Sequence, residues 1–350
     1  MGKVCLIALL FCLCSCRVRT DQVEKTSVDL MGERVELGDD CSFFNIHYAS
    51  DSLIVVSTFS LDYKLTAYVK CAGEYKSYDF LHIGRGPGEI LDASVRYKND
   101  TLYVLSSSPF GLAGFIEIPL SSIEDASEWD YTFMEKSLFL GGDFDVCGKG
   151  EYVILGGEYG QSSILLKCSV NDNTLSPIYF WPEDNYSGPV VPKQSMYMRA
   201  ASISYNKERL LYACGEGRYV SILDLSVNSF KEIPMYNEFP KYKESSDGLN
   251  PTRLSDSSIG VYSFATDSLI YLTPISSKLD GSEYYPDNYK GYPPYYNDVI
   301  DIYDWNGIYQ YTYRLNVPFG NMFVNSSENK LYVLSMDMDT DMSAIYSFDL

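Results

Sequence analysis

The sequence has few of the residues on which most hydrolytic and metal sites depend. Its 350 residues include only two histidines, His47 and His82, and it has neither a GxSxG nor an HExxH motif. These absences argue against the commonest serine-hydrolase and zinc-hydrolase arrangements. Carboxylates are plentiful, so composition leaves open a pair of acids that works as in glycosidases.

Positive charge is also scarce. Lysine and arginine number 27 against 47 aspartates and glutamates, which gives a formal net charge of -20. A chain this acidic is repelled by the phosphates of nucleic acids. We therefore expect no nucleic-acid partner, and we expect neutral or cationic partners instead.

Long apolar runs are missing except for a short one near the N-terminus. Residues 4–13 are apolar, follow Lys3 and are too few to span a bilayer. They end in Leu13-Cys14-Ser15-Cys16, which resembles the lipobox of bacterial lipoproteins. This pattern predicts a signal peptide over residues 1–15 and a diacylglycerol on Cys16. The alternative is an ordinary signal peptide with incidental cysteines.

The other cysteines of the predicted mature chain do not have the pattern of a disulfide framework. Five remain after Cys16, an odd number, and no CxxC pair occurs among them: Cys41, Cys71, Cys147, Cys168 and Cys214. Their wide and irregular spacing indicates buried thiols rather than disulfides or a zinc site.

One unit recurs six times along the chain. Each copy has a turn that is followed by a short apolar strand, often with tyrosine, and then by a second turn and another strand. The copies of the first turn and strand occupy residues 49–56, 98–105, 148–155, 206–213, 265–272 and 328–334. Their spacing of roughly 49 to 62 residues accommodates four strands and their loops, which is the size of one β-propeller blade.

The two ends of the chain predict how the ring closes. The sixth unit has only three strands, whereas residues 26–37 are strand-like and precede the first unit. We therefore predict an all-β fold, a six-bladed β-propeller of four-stranded antiparallel blades in which an N-terminal strand completes the last blade. Residues 16–23 would form a tether, and residues 24–350 would form the propeller domain.

Three features together resemble the TolB-like six-bladed propeller lipoproteins of Gram-negative bacteria. They are the lipobox, the six units and the run His82-Ile-Gly-Arg-Gly-Pro-Gly-Glu89. The resemblance implies a propeller over residues 24–350 and a location in the cell envelope. Because that family is largely uncharacterised, the resemblance implies no activity and no catalytic residue.

Long connections on one edge of the propeller are the first candidates for binding. In an antiparallel blade, the connections from strand two to three and from strand four to the next blade leave the same edge, which we call the upper face. Residues 181–197, 236–258 and 273–297 form the longest of these connections. Their candidate binding residues are aromatic: Trp181, Tyr186, Tyr197, Tyr284, Tyr285, Tyr289, Tyr292, Tyr295 and Tyr296. Such rings suit stacking on a sugar or a peptide, and they equally suit packing of the loops onto the blades.

The run between the first two blades is a second candidate. Gly84-Arg85-Gly86-Pro87-Gly88-Glu89 has the glycines and the proline of a tight turn on the upper face. In one interpretation Arg85 holds a carboxylate or phosphate in the central funnel, with Glu89 in the same site. In the other, Arg85 and Glu89 pair with each other and brace the turn.

Alternating acids near the C-terminus are a candidate metal site. Asp337, Asp339 and Asp341 lie in the upper loop of the last blade and resemble the opening of a calcium-binding loop. The glycine and the later glutamate that such a loop requires are missing, so a solvated acidic turn is the other interpretation. Apart from calcium at this place, the sequence suggests no cofactor.

The sequence as a whole favours a binding or scaffold protein of the cell envelope, which recognises a glycan, a peptide or a partner protein through its upper face. The alternative is a propeller hydrolase or lyase for sugars or small metabolites, with a divalent cation at the funnel. Arg17 and Arg19 follow Cys16, where an acidic cluster would direct export to the outer surface. We therefore expect a lipid anchor in the outer membrane that faces the periplasm, and no other membrane attachment.

Replacement of Cys16 tests this anchor. The Cys16→Ala variant lacks the thiol that would carry diacylglycerol, so we expect it to move from the membrane fraction of cells to the soluble fraction. Cys14→Ala, within the predicted signal peptide, is the matched control and should fractionate like the wild type. Unchanged membrane fractionation of Cys16→Ala would contradict lipidation at this residue.

Overall fold

The computed structural model describes residues 26–38, 42–84, 89–107, 112–137, 139–157, 160–248, 250–257, 260–275, 296–337, 340 and 342–350. The strands within these ranges form six radial sheets, and the first strand of each sheet contacts the first strands of its two neighbours. These contacts close a ring, which confirms the predicted six-bladed β-propeller with antiparallel blades.

The chain enters the propeller through two short strands, β1 (Ser27–Leu30) and β2 (Glu33–Arg34), which join the last two blades. The first three blades then follow with four antiparallel strands each, in order from the axis outwards. Blade 1 has β3 to β6, which span Phe43–Ala49, Leu53–Thr58, Tyr63–Cys71 and Glu74–His82. Blade 2 has β7 to β10, which span Ala93–Lys98, Thr101–Ser107, Leu112–Pro119 and Asp130–Ser137. Blade 3 has β11 to β14, which span Phe139–Gly148, Glu151–Gly157, Leu165–Ser169 and Thr174–Ile178.

The second half of the ring repeats this order and carries additional elements. Blade 4 has β15 to β18, which span Ser202–Asn206, Arg209–Ala213, Tyr219–Asp224 and Ser229–Asn237. Blade 5 has β21 to β24, which span Val261–Ala265, Leu269–Pro274, Asn297–Asp304 and Tyr309–Phe319. Blade 6 has β25 to β27, which span Asn321–Asn325, Lys330–Asp337 and Met342–Asp349.

The remaining elements lie in connections within blade 2 and between later blades. Two single-turn 3-10 helices, Leu120–Ser122 and Ala126–Glu128, separate β9 from β10. On the upper face, helix α1 (Val190–Met198) joins blades 3 and 4, and a hairpin of β19 (Tyr242–Glu244) and β20 (Pro251–Arg253) joins blades 4 and 5. In the described part of the chain, no helix is long and apolar enough to cross a membrane.

Burial explains why the second strand of each blade was the most recognisable repeat. An inner strand is covered on both faces by the neighbouring blades, so six consecutive residues of β12 are buried, 152–157. The outer strand β14 has no buried residue, and its sequence mixes polar and apolar residues. Strands that are buried on both faces need apolar residues at nearly every position, which makes them visible in sequence.

The N-terminal segment closes the ring but is divided between two blades. Strand β2 pairs antiparallel with β27 and completes blade 6, as predicted. The rest of the predicted strand over residues 26–37 differs, because β1 pairs parallel with β24 and adds a fifth strand to blade 5. The chain crosses between the blades at Gly32, where the backbone lies so close to the ring of Phe348 that a Cβ has no room. The Gly32 N–H donates to Asn316 Oδ1 at 2.9 Å, which fixes this crossing.

A core substitution tests the packing between blades 1 and 2. Leu102 is fully buried in a cluster that contains Val95 of blade 2 together with Val55 and Leu65 of blade 1. We expect Leu102→Ala to lower the free energy of unfolding by about 2 to 5 kcal/mol, because it removes apolar contacts and leaves a cavity. Chemical denaturation measures this loss. Leu61→Ala is the matched control, since Leu61 is 90% exposed and its loss should change stability by less than about 0.5 kcal/mol. Equal effects of the two variants would contradict this packing.

Candidate functional site: the upper channel

A channel runs along the axis of the propeller between the first strands. Two cavities follow each other in it, an upper cavity of about 540 Å³ and a lower cavity of about 490 Å³. All six blades contribute to the upper cavity, through Phe44, Ala93, Asp143, Ser202, Tyr262 and Asn321. The two cavities meet at a neck whose residues line both: Tyr97, Asp145, Ser204, Phe264, Ala265 and Phe323.

Hydrogen bonds between neighbouring first strands occupy their inner edges. Among the strands of the described residues none lies inside the ring, so the N–H and C=O groups on these edges need other partners. Between blades 2 and 3, Arg96 Nε donates to the Phe144 carbonyl at 2.9 Å. Between blades 3 and 4, the Ile203 N–H donates to Asp143 Oδ2 at 2.8 Å. We call these side-chain contacts to a neighbouring first strand the interblade bonds.

The interblade bonds continue on the opposite side of the channel. Between blades 6 and 1, the Ile46 N–H donates to Asn321 Oδ1 at 2.9 Å, and Asn325 Nδ2 donates to the Ala49 carbonyl at 3.0 Å. These bonds join the last blade to the first. Side chains of the channel wall thus hold the ring closed in addition to β2.

The charges of the upper cavity are largely compensated within its wall. Arg96 and Asp143 form an ion pair, and Arg96 Nη2 also donates to the Ile203 carbonyl at 3.1 Å. Burial raises the pKa of the Asp143 carboxyl, and the charge of Arg96 opposes that rise. The pair is therefore a structural link between three blades. The other acid of the wall, Asp145, accepts from the N–H groups of Val146 and Tyr205.

A serine and a histidine in the cavity wall have the geometry of a nucleophile and its base. His47 Nε2 lies 2.6 Å from Ser57 Oγ, and both residues line the upper cavity. However, burial first and the charge of Arg96 second lower the pKa of His47 from 6.5 to about 3. A shift of this size disfavours the imidazolium by about 5 kcal/mol, so His47 is a poor acceptor for the Ser57 proton. The pair is a buried hydrogen bond rather than an activated nucleophile.

An exposed aromatic pair stands at the mouth of the upper cavity. Phe44 is 50% exposed and Phe59 is 66% exposed, and their ring centroids are 4.8 Å apart. Sequence reasoning missed both residues. The signal was the adjacent Phe43 and Phe44 in a strand, because alternation buries one of them and turns the other away from the core. Phe43 is buried at 3% exposure.

The three aromatic candidates of the connection 181–197, which are Trp181, Tyr186 and Tyr197, lie together around a buried ion pair. Lys193 Nζ is 2.7 Å from Asp184 Oδ1, and Tyr197 and Tyr242 each donate to Asp184 Oδ2 at 2.9 Å. Lys193 Nζ also lies 5.0 Å from the ring centre of Trp181. These contacts fasten α1 to the β19–β20 hairpin, so the two long upper connections form one packed unit.

The exposure of these aromatic residues differs. Tyr197 is fully buried, and its ring is part of the core. Tyr186 stacks on Tyr242 with ring centroids 4.6 Å apart, and Trp181 is partly buried against the same cluster. In this region the rings pack the loops onto the blades, which was the alternative interpretation.

Three other candidate residues have defined surroundings. The carboxylate of Glu89 packs on Gly84, and Tyr296 packs on Gly320. Asp337 Oδ2 lies 2.5 Å from Arg34 Nη1, so this acid joins β2 to blade 6. Within the described ranges, no group of three or more histidine, cysteine or acidic residues is placed to hold a metal.

The remaining predicted site residues lie outside the described residues and stay predictions. They are Cys16, Arg85, Tyr284, Tyr285, Tyr289, Tyr292, Tyr295, Asp339 and Asp341.

The chain resembles known proteins in its fold. No protein-family model matches it, and no curated protein matches it. A solved structure from Bacteroides fragilis, described as an exported protein, is similar over 92% of this chain and 98% of its own, with a TM-score of 0.50 and 13% identity. The WD40 repeats of RRP9 are similar over 93% of this chain and 98% of their own, with a TM-score of 0.46 and 11% identity.

A third similar structure is larger than this chain. It is the extracellular domain of a one-component system from B. thetaiotaomicron, with a TM-score of 0.43 and 11% identity over 92% of this chain. This chain spans 43% of that structure. At identities this low, the likeness shows the propeller fold alone.

The buried His47 predicts a pH dependence of stability. Its pKa is about 3 in the folded protein and 6.5 as the ordinary value, so the unfolded chain binds a proton that the folded protein does not. Stability is therefore retained above pH 6.5 and falls as the pH drops towards 3. We expect His47→Gln to remove about 2 kcal/mol of the stability loss between about pH 7 and pH 5. Denaturant titrations at both pH values measure it, and His82→Gln, at an exposed histidine, should behave like the wild type. An unchanged pH slope in His47→Gln would show that His47 is accessible to protons in the folded state.

Proposed function

We propose that the protein is a binding module of the cell envelope, which holds a glycan, a peptide or a segment of a partner protein at the mouth of the upper cavity. The observation that carries this proposal is the open cavity of about 540 Å³ with the exposed rings of Phe44 and Phe59 at its mouth. Such a concave, partly apolar site on a rigid ring is typical of ligand binding.

The state of the titratable groups favours binding over catalysis. Arg96 and Asp143 are engaged with each other and with backbone groups of the next blades. The low pKa of His47 leaves it neutral. A general base or acid has to reach the ligand and exchange a proton with it, and these side chains are bound within the wall.

The N-terminal sequence supports the remainder of the proposal. The lipobox at Cys16 and the run His82–Glu89 resemble the TolB-like propeller lipoproteins of Gram-negative bacteria. On this basis residues 1–15 are a signal peptide, residues 16–23 a tether and residues 24–350 the propeller. The protein is then exported and lipid-anchored, in the outer membrane facing the periplasm. The net charge of -20 favours neutral or cationic partners and disfavours nucleic acids.

The position of β1 is compatible with such an anchor. Strands β1 and β24 are parallel, with Ser27 opposite Thr312 and Leu30 opposite Leu315. Because the fourth strand of a blade runs towards the upper face, Thr26 lies at the lower end of blade 5. The residue to which the tether would connect therefore lies at the opposite end of the propeller from the mouth of the upper cavity.

A blocking substitution tests the location of binding. Asn45 is half-buried and lines the upper cavity, so Asn45→Trp should fill part of it. We expect neutral or cationic members of a panel of oligosaccharides and short peptides to raise the melting temperature of the mature wild-type domain, and calcium is included to test the alternative. The Asn45→Trp variant should lose that shift.

The matched control places the same ring in the lower cavity. Ser326→Trp lies at an exposed position that lines only the lower cavity, and it should keep the ligand-induced shift. Equal shifts in the wild type and Asn45→Trp, or no shift with any ligand, would contradict the proposal. A calcium shift that a chelator reverses would favour the metal-dependent hydrolase or lyase instead.

A further inference from the structure

We infer that the ligand of the upper cavity is a neutral carbohydrate chain, an inference that rests on the proposed binding function. Three properties of the cavity lead to this ligand class: its occupied backbone edges, its uncharged hydrogen-bonding groups and its exposed aromatic pair.

The occupied edges argue against an extended peptide. A peptide that binds to a sheet edge pairs its main chain with unpaired N–H and C=O groups of that edge. In the channel wall the interblade bonds already use such groups, among them the Ile46 and Ile203 N–H and the Phe144 carbonyl. A peptide would have to displace these bonds, which hold the ring together.

The groups that face the cavity are hydroxyls and amides. Ser202, Ser204, Ser263 and Asn45 line it, and so do Ser94 and Asn321, whose Oγ and Oδ1 atoms are already bonded to the Gly142 carbonyl and the Ile46 N–H. Hydroxyl and amide groups both donate and accept hydrogen bonds, and so do the hydroxyls of a sugar. The Ser202 and Ser263 hydroxyls, 2.6 Å apart between blades 4 and 5, can each turn towards a ligand hydroxyl.

The electrostatics of the wall disfavour an anionic ligand, and Asp145, the wall acid that has no cationic partner within the described ranges, accepts from the N–H groups of Val146 and Tyr205. Among the described residues that line the upper cavity, the one arginine is Arg96, which is paired with Asp143, and the wall histidine, His47, is neutral. A carboxylate or phosphate on the ligand would therefore find no uncompensated cation among the described lining residues. An anionic ligand would also approach a protein with a net charge of -20.

The aromatic pair supplies the apolar part of the site. Sugar rings have one face of C–H groups, and an exposed aromatic ring covers that face while the hydroxyls around its edge reach polar partners. Phe44 lines the cavity, and the ring of Phe59 packs against the ring of Phe44. The two rings together form a platform at the entrance. The cavity volume of about 540 Å³ lies within the usual range for ligand sites, which indicates recognition of a short stretch of the chain.

Calorimetry with defined ligands tests the inference. We expect the mature domain to bind at least one of a set of neutral trisaccharides, such as maltotriose, cellotriose and chitotriose. Its affinity should be the same at low and high salt, because no charge contributes. Phe44→Ala and Phe59→Ala should each weaken binding by about threefold to tenfold through the loss of one ring.

The matched control is Phe133→Ala. Phe133 is 59% exposed on β10, the outer strand of blade 2, and does not line the upper cavity. This variant should bind the sugar like the wild type, and melting curves of all three variants check that they fold.

The outcomes separate this inference from the proposed function. Binding of uncharged tripeptides or of anionic oligosaccharides, but not of neutral ones, and its loss in Asn45→Trp would overturn the carbohydrate inference and leave the binding site in place. Sugar binding that is insensitive to Asn45→Trp and to both phenylalanine variants would overturn the inference and the proposed site together.

Discussion

The open inner edge of each first strand is the constraint on which the rest of the propeller depends. A propeller has no strand inside its ring, so six strand edges face the axis. Each buried N–H or C=O group on these edges costs about 1 to 3 kcal/mol of folding stability if it has no hydrogen-bond partner. This protein meets the need with side chains from neighbouring blades. Arg96, Asp143, Asn321 and Asn325 each bond to the backbone of a neighbouring first strand. The same contacts therefore satisfy the edges and set the positions of adjacent blades.

This solution limits the chemistry of the channel. Residues that suggest catalysis in isolation, an arginine beside an aspartate and a serine beside a histidine, are part of the wall. Arg96 and Asp143 are bound to each other and to backbone groups, and burial lowers the pKa of His47 to about 3, which leaves its ring neutral. The groups that remain for a ligand are hydroxyls, amides and aromatic rings. Binding is the function that such a lining supports.

The upper face has two regions with different characters. Over blades 3 to 5, the long connections are fastened by the buried pair of Asp184 and Lys193, with Tyr197 and Tyr242 on the same carboxylate. Buried ion pairs add little net stability, but they favour one arrangement of the groups around them. Over blade 1, Phe44 and Phe59 remain exposed beside the channel mouth. The loops over blades 3 to 5 are thus packed in one arrangement, whereas the aromatic pair of blade 1 is exposed to solvent.

The sequence by itself determined the number of blades, the order of their strands and the closure through the N-terminal segment. These features depend on local patterns, because a strand that is buried on both faces must be apolar along its length and must end in turn residues. Only the tertiary structure decided that the N-terminal segment divides at Gly32 between two blades, since the crowding there comes from Phe348. It also decided where the aromatic residues lie. Tyr197 is buried because Asp184 and Tyr242 surround it. The exposure of Phe44 follows from strand alternation, but its place in the wall of the upper cavity follows from the packing of the blades around the channel. Such contacts join residues that are far apart in the chain, and no local pattern records them.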